Sequence, residues 1–497
     1  MPRPVCEEFH LNPSSPSGPD PDLIVVGAGG AGLAAAVAAA QAGARVLVLE
    51  KLAGLAGTTS RSVGSFAAAG TRLQRAAGIR DNAQDFAEDI VLACSETAEP
   101  ADVRHMLARE AAPTLDWLES MGLVLVGPFP EPPNRVPRMH NAVPAGMSYL
   151  KVLHKAALGA GVELRFGCRV AELLRGPTGI AGVSYRQDGA QKQVRARLGV
   201  ILAAGDFSAD TGLRERFLAA PAVAAVPINP QSTGDGHRMA MEAGAQMRRM
   251  DAVFGPQLRF PPPAAAPWFH RLPHWRWLLR IAAAYVAHMP KAMIAPFVRQ
   301  LLVAHMSPAQ GLFDAGCVLV DSTGRRLGEA GRAVDELAVA PGGAGYVIGD
   351  RRIADRFRAY PYFISTAPGV AYAYFQDYER GRPDLVRWAP DRAALARALG
   401  LDADLLAHSA AGLQGELFAL GPVQAMLTVT EGGARIDTSC RVLDESDRPI
   451  PGLYAVGAVG QSGLLLKGHG LHLAWAMTSG RVAGLAAAGA MPEPAAG

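Results

Sequence analysis

Near its C-terminus the chain reads LLLKGHGLHLAWAMTSGR (residues 464–481), which sets Lys467, His469 and His472 among glycines at the mouth of an apolar helical run. A lysine so placed can stabilise negative charge developing on a bound group, and imidazoles carry protons near neutral pH. The alternative, a solvated lysine at a helix start, is disfavoured because cations prefer the other end of the helix dipole. A second chemistry-bearing constellation lies near the opposite end. Gly27-Ala28-Gly29-Gly30-Ala31-Gly32 follows the apolar run Leu23–Val26 and opens an alanine-rich helix, and a second apolar run (residues 45–49) ends in Glu50. Strand, glycine turn, helix, strand and acid form the complete dinucleotide-binding pattern, which a lone GxGxxG would not. Gly27 permits the tight turn, Gly29 lets the backbone approach a pyrophosphate, and Gly32 lets the helix pack on the strand. The helix N-terminus then faces the phosphates, and Glu50 stands where a carboxylate binds ribose hydroxyls.

The whole chain bounds what such a site can belong to. Its 497 residues suffice for two or three domains, or for one large α/β domain with an insertion. A hydrophobic content of 49% with 19% charged residues describes a large buried interior. The net charge of +3 leaves no basic footprint for nucleic acid. The five cysteines are far apart and form no CxxC, so a reducing compartment, no structural zinc and no attached c-type haem are expected. Residues 1–21 are rich in Pro, Ser and acid without an apolar core, as in a disordered leader. No uninterrupted apolar stretch is long enough to span a membrane, and a cytoplasmic protein is the default.

Between the two constellations, residues 161–174 and 180–185 read as strands of a sheet and its hairpin. Residues 200–203 read as a fully apolar strand ending in Ala204-Gly205. In STGDGHRMAMEAGA a glycine-flanked acid, Asp235, caps an amphipathic helix, and PIPGLYAVGAVG supplies one more buried strand ending in glycines. First and last strands that both end in glycine turns suggest one sheet split by an insertion. The expected division is a first part at 22–249, an inserted unit at 250–360 and a second part at 361–490. Within the insertion, residues 268–304 mix prolines, tryptophans, histidines and arginines. That composition serves a lid over a hydrophobic substrate, a basic amphipathic surface in peripheral membrane contact, or an ordinary cap domain with a solvated basic face.

VVGAGGAGLAAA with Glu50-Lys51, GTTSRSVGSFAAAGTRLQRAAGIRDNAQDF, ILAAGDFS, STGDGHRMAMEAGA, GCVLVDSTGRRLGEAGR, GGARIDTSCRVLD and IPGLYAVGAVG…GHGLHLAWAMTSGRVAG together carry a resemblance. The chain is similar to the flavoproteins that include fumarate reductases, succinate dehydrogenase flavoprotein subunits and ketosteroid dehydrogenases, over nearly everything after Asp22. The resemblance implies an α/β fold, with a Rossmann-like FAD-binding domain and an inserted α+β capping domain. It implies FAD held by Gly27, Gly29, Gly30, Ala31 and Gly32 at the pyrophosphate and by Glu50 with Lys51 at the adenosine ribose. Thr58, Thr59, Ser60 and Gly64 would line the pyrophosphate and flavin edge, Val170 would pair with adenine, and Ala204-Gly205 would pack beneath it. Asp235, Gly457, His472 and Leu473 would complete the site. Some relatives attach FAD through a histidine after the ribose acid; none occurs between residues 50 and 70, so FAD is expected to be dissociable.

The same resemblance gives the opening lysine a place. In the fumarate and succinate enzymes an arginine thirteen residues before the glycine of the GRxAG stretch grips a substrate carboxylate, and counting back from Gly480 reaches Lys467. Lys467 is therefore expected beside the flavin as a polarising cation, with the Gly468 and Gly470 backbone. Arg332 is the leading proton carrier, one residue short of the family's arginine spacing after Glu329, and His140 in RVPRMHNAVP is the second candidate. The departures point away from dicarboxylates: Val429 stands where those enzymes have a substrate histidine, Ala458 replaces an acid, and a Thr-Glu…Arg clamp is missing before GCVLVDSTGRR. The tyrosine that ketosteroid enzymes use is also absent. What remains is an FAD-dependent oxidoreductase moving a hydride at a carbon–carbon bond beside a carbonyl, on a bulky apolar enone or steroid-like compound. A small-carboxylate enzyme, a flavin oxidase or hydroxylase, and a non-catalytic flavin subunit are the alternatives. The partners expected are a small-molecule substrate and an electron donor or acceptor.

Overall fold

The computed structural model describes residues 20–94, 100–263, 275–288, 299, 303, 307–328, 330–367 and 371–490. Most of the expected leader lies outside the described residues, as does much of 268–304. The strand β1 (Leu23–Val26) is buried at every position and pairs in parallel with β2 (Val46–Leu49) on one side and with Gly199–Leu202 on the other. A continuous apolar run, rather than an alternating one, is what a parallel strand covered on both faces requires. Glu163–Arg165 extends the sheet beyond β2. Pro449–Ala455 lies in parallel against Gly199–Leu202, so the strand nearest the C-terminus and the one nearest the N-terminus share one sheet.

Between β1 and β2 runs α1 (Gly30–Gln41), buried from Gly30 to Ala39. A helix apolar on all sides must be covered on all sides, and here the sheet, the helix Met147–Gly159 and the C-terminal helix Leu471–Ala487 enclose it. Two small antiparallel sheets complete this unit. One is the hairpin Arg169–Arg175 and Ile180–Gln187 with Ala190–Arg195; the other joins Ser65–Ala67, Met139–Ala142 and Leu125–Phe129.

A second core gathers buried residues from Phe207 to Leu427. Its six-stranded sheet is organised by the long strand Leu417–Leu427, which pairs with Val226–Pro227, Gln257–Arg259, Ala344–Asp350 and Val386–Ala389. The unit is thus wider than the expected 250–360, because its central strand comes from beyond residue 360 and its first strand from before 250. Two short crossings tie the units together, Met247–Arg248 with Gly433–Ala434 and Val253–Phe254 with Val429–Thr430. We propose that these crossings mark the domain boundary. No helix among the described residues is long and apolar enough to cross a membrane.

One buried ion cluster positions the small sheet that faces the cavity. Arg138 is fully buried, donates to Asp81 at 2.7 Å through Nε and Nη2, and also pairs with buried Asp89. Burial opposes ionisation of Asp89, but hydrogen bonds from Arg135 and Arg138 outweigh it and hold the carboxyl below its ordinary range. Removing the cation alone leaves two carboxylates in a dry site. Arg138→Met is expected to cost about 3–5 kcal/mol, read as a lowered urea midpoint; an unchanged midpoint would show the cluster to be dispensable.

Candidate functional site

A cavity of about 1570 Å³ opens between the two units. Its inner end is the glycine turn. Gly27 takes φ +106°, which other residues rarely adopt, and its N–H donates to Leu49 O at 2.8 Å. At Gly29 an added side-chain carbon would meet no atom within 4 Å, so the backbone opens directly onto the cavity. At Gly32 the same carbon would lie 1.9 Å from Gly27 O, so this glycine is needed for packing and does not line the wall. The N-terminus of α1 therefore presents its N–H groups to the cavity with nothing between.

Glu50, at the end of β2, is fixed by backbone donors: Ala28 N–H to Oε2 at 2.7 Å and Leu52 N–H to Oε1 at 2.9 Å. Each oxygen keeps a lone pair for a hydroxyl. Lys51 donates to Thr233 Oγ1 at 2.6 Å and to Asp235 Oδ2 at 2.9 Å, and Arg169 donates to Asp235 Oδ1 at 2.7 Å. Burial opposes ionisation of Asp235, yet Lys51 and Arg169 hold its carboxyl below the usual range. Lys51 and Asp235 thus close this end of the cavity by binding each other.

Gly30, Ala31, Thr58, Thr59, Ser60, Val170, Ala204, Gly205, Gly457, His472 and Leu473 also line the cavity. Thr58 accepts from Asn229 Nδ2 at 3.0 Å, and the Ser60 hydroxyl donates to Gly57 O at 2.7 Å. Gly64 is absent from the wall: its carbonyl accepts from Tyr149 and from the Ala142 N–H, so it holds the chain rather than a ligand.

The three expected catalytic side chains lie elsewhere. His140 is buried with its ring between Thr71 Oγ1 at 2.9 Å and Phe66 O at 3.3 Å. Strand alternation turns Met139 and Asn141 to the cavity and His140 to the opposite face. Lys467 is exposed and outside the wall; the glycine turn presents Gly468, His469 and Gly470 instead. Arg332 is exposed on the helix Ala330–Val339, whose Ala333 and Val334 face the cavity in its place.

Other groups occupy the wall where those were expected. Arg259 reaches it from Gln257–Arg259, with Nη2 donating to Gln257 Oε1 at 2.8 Å; burial holds its guanidinium below the ordinary arginine range. His472, in the first turn of the C-terminal helix, sits 3.3 Å from Glu431 Oε1 and packs on Phe254 with ring centroids 5.8 Å apart. Glu431 is fully buried behind it; its Oε1 accepts the Leu466 N–H at 2.6 Å, and among the described residues neither its Oε2 nor His472 Nε2 has a hydrogen-bond partner. Buried polar atoms left so are uncommon, and a bound ligand would satisfy them. At the rim His469 pairs with Glu131 at 2.5 Å, and that hydrogen bond holds the imidazole above its usual value. In the sequence Arg259 and Glu431 gave only a weak signal, a lone charge inside an apolar strand or before a glycine pair.

The glycine turn, the ribose-facing acid and the open helix terminus agree with what comparison shows. Residues 22–265 and 282–465 match the family described as FAD binding domain. The chain belongs to that family. It is an FAD-dependent oxidoreductase, of the reductases and dehydrogenases that act on carbon–carbon bonds. A probable fumarate reductase of Shewanella frigidimarina is 26% identical over 469 residues, covering 88% of this chain and 69% of that protein. The digoxin reductase of Eggerthella lenta is 24% identical over 519 residues, covering 93% and 86%. Among solved structures, an open flavocytochrome c3 fumarate reductase superposes with TM-score 0.73 at 23% identity, over 95% of this chain and 78% of that one. The 3-ketosteroid Δ1-dehydrogenase of Sterolibacterium denitrificans gives 0.68 at 19% identity, over 95% and 100%. At such identities these structures share the fold. FAD fits the residues present, because the space at Gly29 is what a pyrophosphate needs.

Two measurements check this site. Gly29→Val is expected to abolish FAD retention by filling that space, and acid precipitation of the native protein should release FAD into the supernatant. Flavin remaining with the pellet would contradict the non-covalent expectation. For His140, burial holds the imidazole at about 4 against an ordinary 6.5. A lowered imidazole value means that the unfolded chain binds the proton first as pH falls. Stability is full above pH about 6.5 and declines towards pH about 4, by about 3 kcal/mol. His140→Asn should flatten that decline while leaving substrate-driven flavin reduction within a few-fold of wild type, whereas a catalytic role would remove activity.

Proposed function

We propose that this enzyme moves a hydride between FAD and a carbon–carbon bond adjacent to the carbonyl of a bulky, mostly apolar substrate. The observation that carries this reading is the cavity beyond the glycine turn. At about 1570 Å³ it exceeds the roughly 300–1,000 Å³ of single-ligand pockets, leaving room for a second molecule beside the cofactor. Phe254, Leu258, Phe260, Met426 and Val429 wall that second space, and Val429 stands where the dicarboxylate enzymes carry a substrate histidine.

FAD, when bound, takes or gives the hydride and exchanges two electrons with an external redox partner. The chain supplies the rest. Arg259 is a fixed cation facing the cavity and polarises the substrate carbonyl, stabilising the negative charge that develops on its oxygen. His472, whose Nε2 lies 3.3 Å from Glu431 Oε1, carries the proton that leaves or joins the adjacent carbon. The aromatic and aliphatic wall lowers the polarity around both groups, which strengthens their action on a bound substrate. A monocarboxylate is the second reading, favoured by Arg259 and Arg326, both of which line the cavity.

An anaerobic screen of flavin absorbance against enones, saturated ketones, monocarboxylates and dicarboxylates tests the proposal. Spectral change with bulky carbonyl compounds is expected. A response confined to fumarate or succinate would overturn it. Arg259→Met should keep bound FAD and slow the substrate-driven change roughly 10²- to 10³-fold. His472→Gln should also slow that step, read at matched FAD content; an unchanged rate would show that the proton travels by another route. Lys467→Met should leave both rates unchanged.

A further inference from the structure

Residues 252–313 contain no aspartate or glutamate, while they hold six lysines and arginines and three of the six tryptophans of the chain. The best described part of this stretch is the helix Arg276–His288, which Trp275 immediately precedes. Leu279 and Ala283 bury one face of it against Val124 and Val126, and Val286 on that side reaches the wall of the cavity. The opposite face should be polar if it only met water. Instead Trp277, Ile281 and Tyr285, spaced four residues apart, are 60%, 59% and 41% exposed, and Trp275 is 57% exposed and stacked on Trp277 at 6.0 Å. Four of the ten large apolar side chains most exposed among the described residues therefore sit together on this helix and the residue before it.

Charge stands beside this face. Arg276 and Arg280 border a shallow recess that also holds Arg72 and Arg75, with Asp116 and Glu119 as its carboxylates. Four guanidiniums against two carboxylates leave the recess positive. An apolar face bearing tryptophan and tyrosine, edged by arginine, matches the boundary between lipid headgroups and acyl chains.

We propose that the face formed by Trp275, Trp277, Ile281 and Tyr285 seats this protein on an anionic phospholipid surface, with the helix lying in the plane of the headgroups. The occupant is a bilayer because the stripe is apolar, bears tryptophan and tyrosine, and has positive charge at its edge. With Val286 at the cavity, the seated helix separates the lipid from the substrate space by its own thickness. This inference is independent of the substrate assigned above.

The test is flotation of the FAD-loaded full chain with vesicles of phosphatidylcholine and phosphatidylglycerol, and separately with phosphatidylcholine alone. The wild type should float with the anionic vesicles and bind roughly tenfold more weakly to neutral ones or in high salt. The triple variant Trp275→Ser, Trp277→Ser, Ile281→Ser should lose roughly tenfold or more of the binding while keeping the flavin spectrum. A wild type that stays unbound with both vesicles would overturn the proposal, as would a variant that floats equally well. So would concentration-dependent self-association, without vesicle binding, that the same substitutions abolish, since a second copy would then cover the face.

Discussion

Two helices from opposite ends of the chain lie backbone against backbone, and the site depends on it. At Gly480 a side-chain carbon would come 2.3 Å from Ala31 O, and at Gly484 it would come 2.3 Å from Ala35 O. Nothing larger than glycine fits at either place without moving the C-terminal helix off α1. That helix begins at Leu471, so its first turn carries His472 and Leu473 to the cavity only if the seam stays closed. The alanines of α1 belong to the same constraint. They were legible as good helix formers, but their deeper reason is that an interior packed at crystal-like density admits no longer side chain between two touching backbones.

The seam separates what the site demands of position from what it demands of chemistry. The nucleotide end is made almost wholly of backbone: the Gly29 gap, the α1 terminus, and a glutamate held by two amides. Side chains there bind one another, as Lys51 and Asp235 do, and leave the main chain to face the cavity. The end proposed for the substrate is the reverse. Its charged groups, Arg259, His472 and Glu431, come from three elements that meet only when both units are folded. Their neighbours are aromatic and aliphatic, which strengthens each charge and sharpens its direction.

That division explains what the sequence showed. The glycine turn, α1, β2, the strand ending in Ala204-Gly205 and the helix after Asp235 were readable because each is local, with its own period and punctuation. Most residues expected at the cofactor end line the cavity; Gly32 and Gly64 do not. The end proposed for the substrate was not readable in that way. His140 carries the right chemistry in the right strand, but a period of two sends it to the wrong face, and only the pairing with Ser65–Ala67 reveals which face is which. Lys467 sat at a glycine turn, where spacing along the chain says nothing about which side of the turn a side chain leaves. Glu431 and Arg259 were inconspicuous because a buried charge acquires meaning from partners far away in sequence. The second unit was drawn too narrowly for a related reason: Leu417–Leu427 reads as one more apolar strand, and its central position is fixed by four pairings with segments that precede it.

The order of strands in the large sheet also sets a schedule for synthesis. Gly199–Leu202 lies beside Pro449–Ala455, yet the whole second core is translated between them. At about 5–20 residues per second the earlier strand waits on the order of ten to fifty seconds for its neighbour. Over that interval its edge is an open template for wrong pairing, whereas the second unit closes its own sheet once Leu427 has emerged. The guest is complete before the host. One apolar strand edge therefore stays open throughout that interval, and the wall that Gly457 and His472 give the cavity is added only after the second unit has closed.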